Sequence, residues 1–159
     1  MDQESDPRFR NNEARMGRET MGRVLVAAKV ENVGDLFLVD RGVIPQENVR
    51  RIEVAEALID TAATNLSMPG TMIRQLGLLP LRARQARTAT GLATFNVYGA
   101  VRLTVQGRDC TIDVTEVPEG CPVLIGEVPL ELLDFVVDPK NQRLIGNPEH
   151  GGEQMLEMY

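Results

Sequence analysis

Short runs of apolar, often β-branched residues recur along this chain, separated by glycine, proline and polar clusters. Arg23 to Val30 carries Val24-Leu25-Val26-Ala27-Ala28-Lys29-Val30 and predicts a first strand. Gly34 marks a turn. Leu36-Phe37-Leu38-Val39 predicts a second strand, closed by Asp40-Arg41-Gly42, so that the two form a hairpin. Pro45 to Asn48 is a loop. Val49 to Ile59 admits two readings. Its alternation is imperfect, and Glu53, Ala55, Glu56, Ala57 and Leu58 favour helix. The acid, small residues and hydroxyls from Asp60 to Thr64 favour a strand that delivers Asp60 at its end.

Beyond Thr64, Ser67 to Gly77 predicts a short helix. Pro69 stands where a first turn tolerates it, Met72, Ile73 and Leu76 recur at helical spacing, and Gly77 caps the end. Arg82, Arg84 and Arg87 lie on a predicted strand with Ala83 and Ala86, a pattern that suits a solvated strand face better than a binding patch. Thr88 to Thr94 has Gly91 at its centre and reads as a hairpin tip. Phe95 to Ala100 and Val101 to Val105 continue as strands, with a bulge or bend at Gly99. Gln106 to Asp109 turns. Cys110 to Val117 alternates cleanly and makes Cys110 a small core residue. Val123-Leu124-Ile125-Gly126 predicts a short strand, Pro129 to Leu133 a short helix, and Phe135 to Asp138 with Gln142 to Ile145 a closing hairpin.

Composition narrows the class. A chain of 159 residues, 43% hydrophobic, fits one domain with a core. Residues 23-147 are the expected domain, flanked by polar tails at 1-22 and 148-159. Arg8, Arg10, Arg15 and Arg18 alternate with acids in the first tail, which is expected to be disordered. His150, in the second, is expected to be exposed and without a catalytic role. The net charge of −6 argues against a nucleic-acid partner. Two cysteines make no disulfide framework, and a reduced, cytoplasmic setting is expected, with a single Cys110–Cys121 bridge left open. One histidine rules out a His-rich metal site, and no metal or other cofactor is expected. No apolar run nears the roughly 20 residues that span a bilayer, and Met1 to Asn12 is not a signal peptide, so no membrane partner is expected.

The stretch with the strongest chemical content is Ala57-Leu58-Ile59-Asp60-Thr61-Ala62-Ala63-Thr64. An apolar run carries an acid to its end, where burial would cost several kcal/mol without a partner. Small residues and hydroxyls come directly after it. An Asp that hydrogen-bonds its own turn explains the local pattern equally well. The wider context carries more information. Asp60-Thr61 is succeeded by Leu66-Ser67-Met68-Pro69, by a Gly-tipped hairpin and by Val123-Leu124-Ile125-Gly126. In that order these features resemble the retropepsin-like aspartic proteases, bacterial and retroviral, over roughly residues 23 to 147. The active-site loop of that family is Asp-Thr-Gly-Ala-Thr, and this sequence departs from it at Ala62.

The resemblance implies an all-β, closed acid-protease barrel with a flap hairpin, about Thr88 to Tyr98, and one or two short helices. It implies that Asp60 is the catalytic acid. Thr61, Ala62, Ala63 and Thr64 would support the loop, Thr90, Gly91 and Leu92 would form the flap over the substrate, and Leu124, Ile125 and Gly126 would be the strand that holds the loop. Only one such acid loop is present, whereas the chemistry needs two carboxylates that share a proton. A homodimer would supply the second, with Thr61 bonding across the two-fold axis. The expected activity is hydrolysis of peptide or protein substrates. The alternatives are an inactive retropepsin-like fold that pairs subunits or grips a peptide and, with less support, a β-barrel binding module that never held an active site.

Overall fold

The computed structural model describes residues 23–155. The polar segment 1–22, with its four arginines, and residues 156–159 lie outside the described residues. Within them the elements run β1 (Val24–Asn32), α1 (Val33–Asp40), β2 (Arg51–Ile59), β3 (Leu66–Pro69), α2 (Gly70–Gln75), β4 (Leu79–Thr88), β5 (Gly91–Val105), β6 (Arg108–Val117), β7 (Leu124–Ile125), α3 (Glu127–Leu133), β8 (Phe135–Asp138) and β9 (Arg143–Gly146).

Seven strands form one mixed sheet in the order β1-β2-β7-β3-β6-β5-β4. A further pairing of β1 with β5, Lys29↔Thr104 to Asn32↔Val101, closes the sheet into a barrel and leaves β4 outside the ring. Closure gives each of the six ring strands a partner on both sides, while β4 keeps a free outer edge. The inward positions fill the barrel. Val24, Val26, Ala28 and Val30 of β1 alternate with more exposed neighbours, and they pack with Ala57, Leu66, Met68, Leu103, Val114 and Ile125. Each such large aliphatic side chain contributes about 1.5–3 kcal/mol on burial. β8 and β9 form a separate two-stranded hairpin.

The expected strand at Leu36 to Val39 is a helix instead. Asn32 caps it: its side chain accepts the N–H of Asp35 at 3.0 Å and donates to the Leu76 carbonyl at 2.8 Å. Asp35 is the buried residue of this helix. Both its oxygens take the Arg50 guanidinium at 2.9 Å, and Oδ2 also accepts the Arg50 N–H. The helix is therefore anchored by a capping and ionic contact, while Phe37 and Leu38 stay exposed. The expected helix at Ser67 to Gly77 is shorter. Its first residues belong to β3, fully buried between β6 and β7, and α2 starts only at Gly70.

The ambiguous run at Val49 to Ile59 is a strand from Arg51, because β1 and β7 offer it ladder partners on both sides. β5 is continuous over fifteen residues. The expected irregularity at Gly99 is present as a register shift against β6 between Tyr98 and Val101. Cys110 packs against the core, and burial pushes its thiol up to about 11. Both cysteines are free thiols.

His150 is not exposed. Its side chain is 12% accessible, and Nδ1 lies 2.6 Å from Asp134 Oδ2. Asp134, itself buried, also accepts from Asn147 Nδ2 and from the Met155 N–H. Arg108 donates to the carbonyls of Leu133, Asp134 and Gly152 and lies over the Phe135 ring. Residues 147 to 155 are thus bound to the end of α3 and the start of β8.

Candidate active site

β2 ends at Ile59 because the chain must leave the sheet there. β3, the next strand, is not its neighbour; the short β7 lies between them, parallel to β2 and antiparallel to β3. The connection, residues 60–65, bridges the end of β7. The Asp60 N–H donates to the Ile125 carbonyl at 3.0 Å and the Gly126 N–H to the Asn65 carbonyl at 3.0 Å. The loop is thereby fixed to β7 at both ends. Leu124, Ile125 and Gly126, expected to hold it, are brought against it.

Within the loop, Ala63 N–H returns to the Asp60 carbonyl at 3.0 Å and closes a tight turn. The Ala62 N–H donates to Asp60 Oδ1 at 3.0 Å. The aspartate therefore does cap its own turn, and the turn aims one carboxylate oxygen at the backbone. Ala62 does not adopt a positive φ, so its methyl is accommodated without strain. Asp60 is half-buried, while Thr61, Ala62 and Thr64 are exposed.

α3 braces the loop from below, a contribution sequence reasoning missed. Helix starts leave N–H groups without internal partners. Here Glu127 N–H donates to the Ala63 carbonyl at 2.9 Å and Val128 N–H to the Thr64 carbonyl at 3.0 Å. Gly126 precedes the helix with no capping side chain, so loop carbonyls take the role of a cap. Its lack of a side chain is required: a Cβ there would stand 2.6 Å from the Ala63 carbonyl oxygen and 2.7 Å from that of Asn65. A glycine before a helix that lacks Ser, Thr, Asp or Asn was the available signal.

Thr90, Gly91 and Leu92 stand at the tip of the β4–β5 hairpin. Thr88 Oγ1 donates to the Gly91 carbonyl at 2.9 Å, and Gly91 has φ +126. β4 is exposed along its whole length, and Leu92 is 70% accessible. Among the described residues no hydrogen bond joins this tip to the Asp60 loop. Beside the loop, Asn65, Arg82, Arg84, Val97, Asp113 and Val128 are among the residues that line a cleft of about 340 Å³. Among the described residues no group of His, Cys, Asp and Glu is placed to hold a metal ion, and no helix is long and apolar enough to cross a membrane.

The closed barrel and the β4–β5 hairpin expected of a retropepsin-like domain are present, with three short α-helices among the described residues where one or two were expected. No protein-family model matches the chain, and no curated protein matches it. Among solved structures, the solution structure of Simian foamy virus (mac) protease is similar, with a TM-score of 0.45 at 18% identity, over 69% of this chain and 93% of that one.

Proposed function

We propose that this chain is an aspartic endopeptidase that works as a homodimer, with one Asp60 from each subunit. Two carboxylates at close range share one proton. The ionised one takes a proton from the attacking water, and the protonated one polarises the peptide carbonyl. Thr61, exposed beside Asp60, would bond across the two-fold axis, and the β4–β5 hairpin would close over the peptide. The observation that carries this reading is the loop itself: a half-buried carboxylate held by the Ala62 N–H, on a turn fixed to β7 and α3 at four backbone bonds.

A second reading, a dimerisation or peptide-binding module that does not cut, is favoured by the Ala62 methyl in place of the family's glycine. A diverse peptide library, incubated with the protein from acidic to neutral pH, separates the two. The protease gives cleavage with a bell-shaped pH profile that belongs to the pair, lost in Asp60→Asn, and a two-chain species on sedimentation. A strict monomer, or cleavage that survives Asp60→Asn, sinks the dyad.

A further inference from the structure

We infer that the cleft beside the Asp60 loop is an acid-selective subsite, so that the preferred substrates carry Asp or Glu on both sides of the scissile bond; this rests on the protease reading. The cleft is joined to the catalytic loop by the chain itself. Asn65, on its wall, accepts the Gly126 N–H, and Val128, opposite, donates to Thr64. β4 of the hairpin forms the other wall through Arg82 and Arg84. Residues two apart on a strand share a face, so both guanidiniums belong to the side of β4 that faces the cleft, and Arg87 belongs to the other.

The charges there do not cancel. Arg82 is paired with Asp113 at 3.2 Å, the one acid among the lining residues. Among the described residues Arg84 has neither a hydrogen-bond nor an ion-pair partner. On a chain with net charge −6, a cavity wall with a surplus guanidinium is a local reversal of sign. Val97, Ile112, Val128 and Leu132 supply an apolar lining, and Thr111, Thr115 and Asn65 supply polar atoms. A carboxylate side chain on a short aliphatic stem fits this surface: the stem meets the apolar lining and the two oxygens match the fork of Arg84. In a two-fold dimer the subsite occurs twice, once in each subunit. Acidic residues are therefore selected on both flanks of the cut.

The test uses full-length protein and peptides with one uncharged centre, flanked on both sides by Asp/Glu, by Asn/Gln or by Lys. Acidic flanks are expected to raise kcat/KM by about tenfold over neutral ones, mainly through KM, with a gain that shrinks as salt rises. Arg84→Gln should erase the difference between flanks, and Arg84→Glu should shift preference to Lys. Binding of the same peptides to Asp60→Asn protein, monitored by fluorescence anisotropy, separates the two claims. Arg84-dependent binding of acidic peptides without cleavage by the native protein upholds the subsite and removes the protease. Cleavage indifferent to the flanks, or a preference that survives both Arg84 variants, removes the subsite and leaves the protease. Neither binding nor cleavage of any acidic-flanked peptide overturns the subsite as well.

Discussion

The Ala62 N–H donates to Oδ1 of Asp60 at 3.0 Å, the same backbone contact a glycine would make at that position. The Ala62 methyl therefore belongs to an exposed residue and removes nothing from the carboxylate.

Ala62→Gly is expected to preserve fold and cleavage, or to raise cleavage by widening access. Since Ala62 is unstrained, the glycine should cost about 0.4–1 kcal/mol through the freer unfolded chain. Denaturant melts and cleavage rates measured side by side check this. Loss of activity in the glycine variant would mean that the methyl has a positive role.

Gly126→Ala should be far more damaging. The new methyl would meet the Ala63 and Asn65 carbonyl oxygens inside van der Waals distance. Both are backbone atoms and cannot swing aside. A loss of about 1–3 kcal/mol is expected, together with displacement of the loop. Peptide cleavage should fall more steeply than stability, because the same carbonyls position the turn that carries Asp60.

Glu31 predicts acid sensitivity. It is 1% exposed and faces Lys29, Arg51 and Arg102, with Arg102 at 2.9 Å. Burial alone would push its carboxyl up. The Arg102 hydrogen bond and the three positive charges outweigh that and hold it below the ordinary carboxylate range. A folded-state value depressed in this way stabilises the protein above the unfolded-state pKa, and the gain is lost as pH falls through the folded-state value. Glu31→Gln should cost about 1–3 kcal/mol near neutrality, less than a fully buried pair because the cations are partly solvated. Its melting temperature should also depend less on pH in the acid range than that of the native protein.

Asp134 governs the segment from 147 to 155. The His150 contact, then Asn147 and the Met155 N–H, hold its carboxyl below the usual range. The stabilisation is again present above the unfolded-state pKa and lost as acid titrates the folded group. Asp134→Asn should free this segment while leaving the barrel folded. Hydrogen exchange would show protection lost at Met155 and retained in β1 and β5. Unchanged protection at Met155 would mean that the Arg108 and Gln154 contacts suffice.

The legibility of the chain tracks the range of the interactions. Val24 to Val30 is readable because alternating β-branched residues are a local signal, and the strand ends before Asp60 and Gly126 are readable because an apolar run stops at each. Leu36 to Val39 misleads because an apolar run of four suits either structure. The deciding residue is Asn32, a cap with Asp35 three places on, whose value depends on Arg50 and Leu76. His150 reads as a tail residue because Asp134, sixteen positions earlier, carries no local mark of its pairing. The α3 brace and the Arg84 cleft are similarly hidden, since each joins segments that only the barrel brings together.

β5 has a mechanical consequence. Its first half pairs only with β4 until Val97, and its second half is stitched to β6 and β1. One unbroken beam thus serves as both cantilever and stave. The ladder to β6 lapses at Gly99 and Ala100 but resumes at Tyr98 and Val97, so β5 leaves the barrel only beyond Val97. The outer arm, residues 91–96, is laddered to β4 alone, so bending it breaks no pairing of the closed ring.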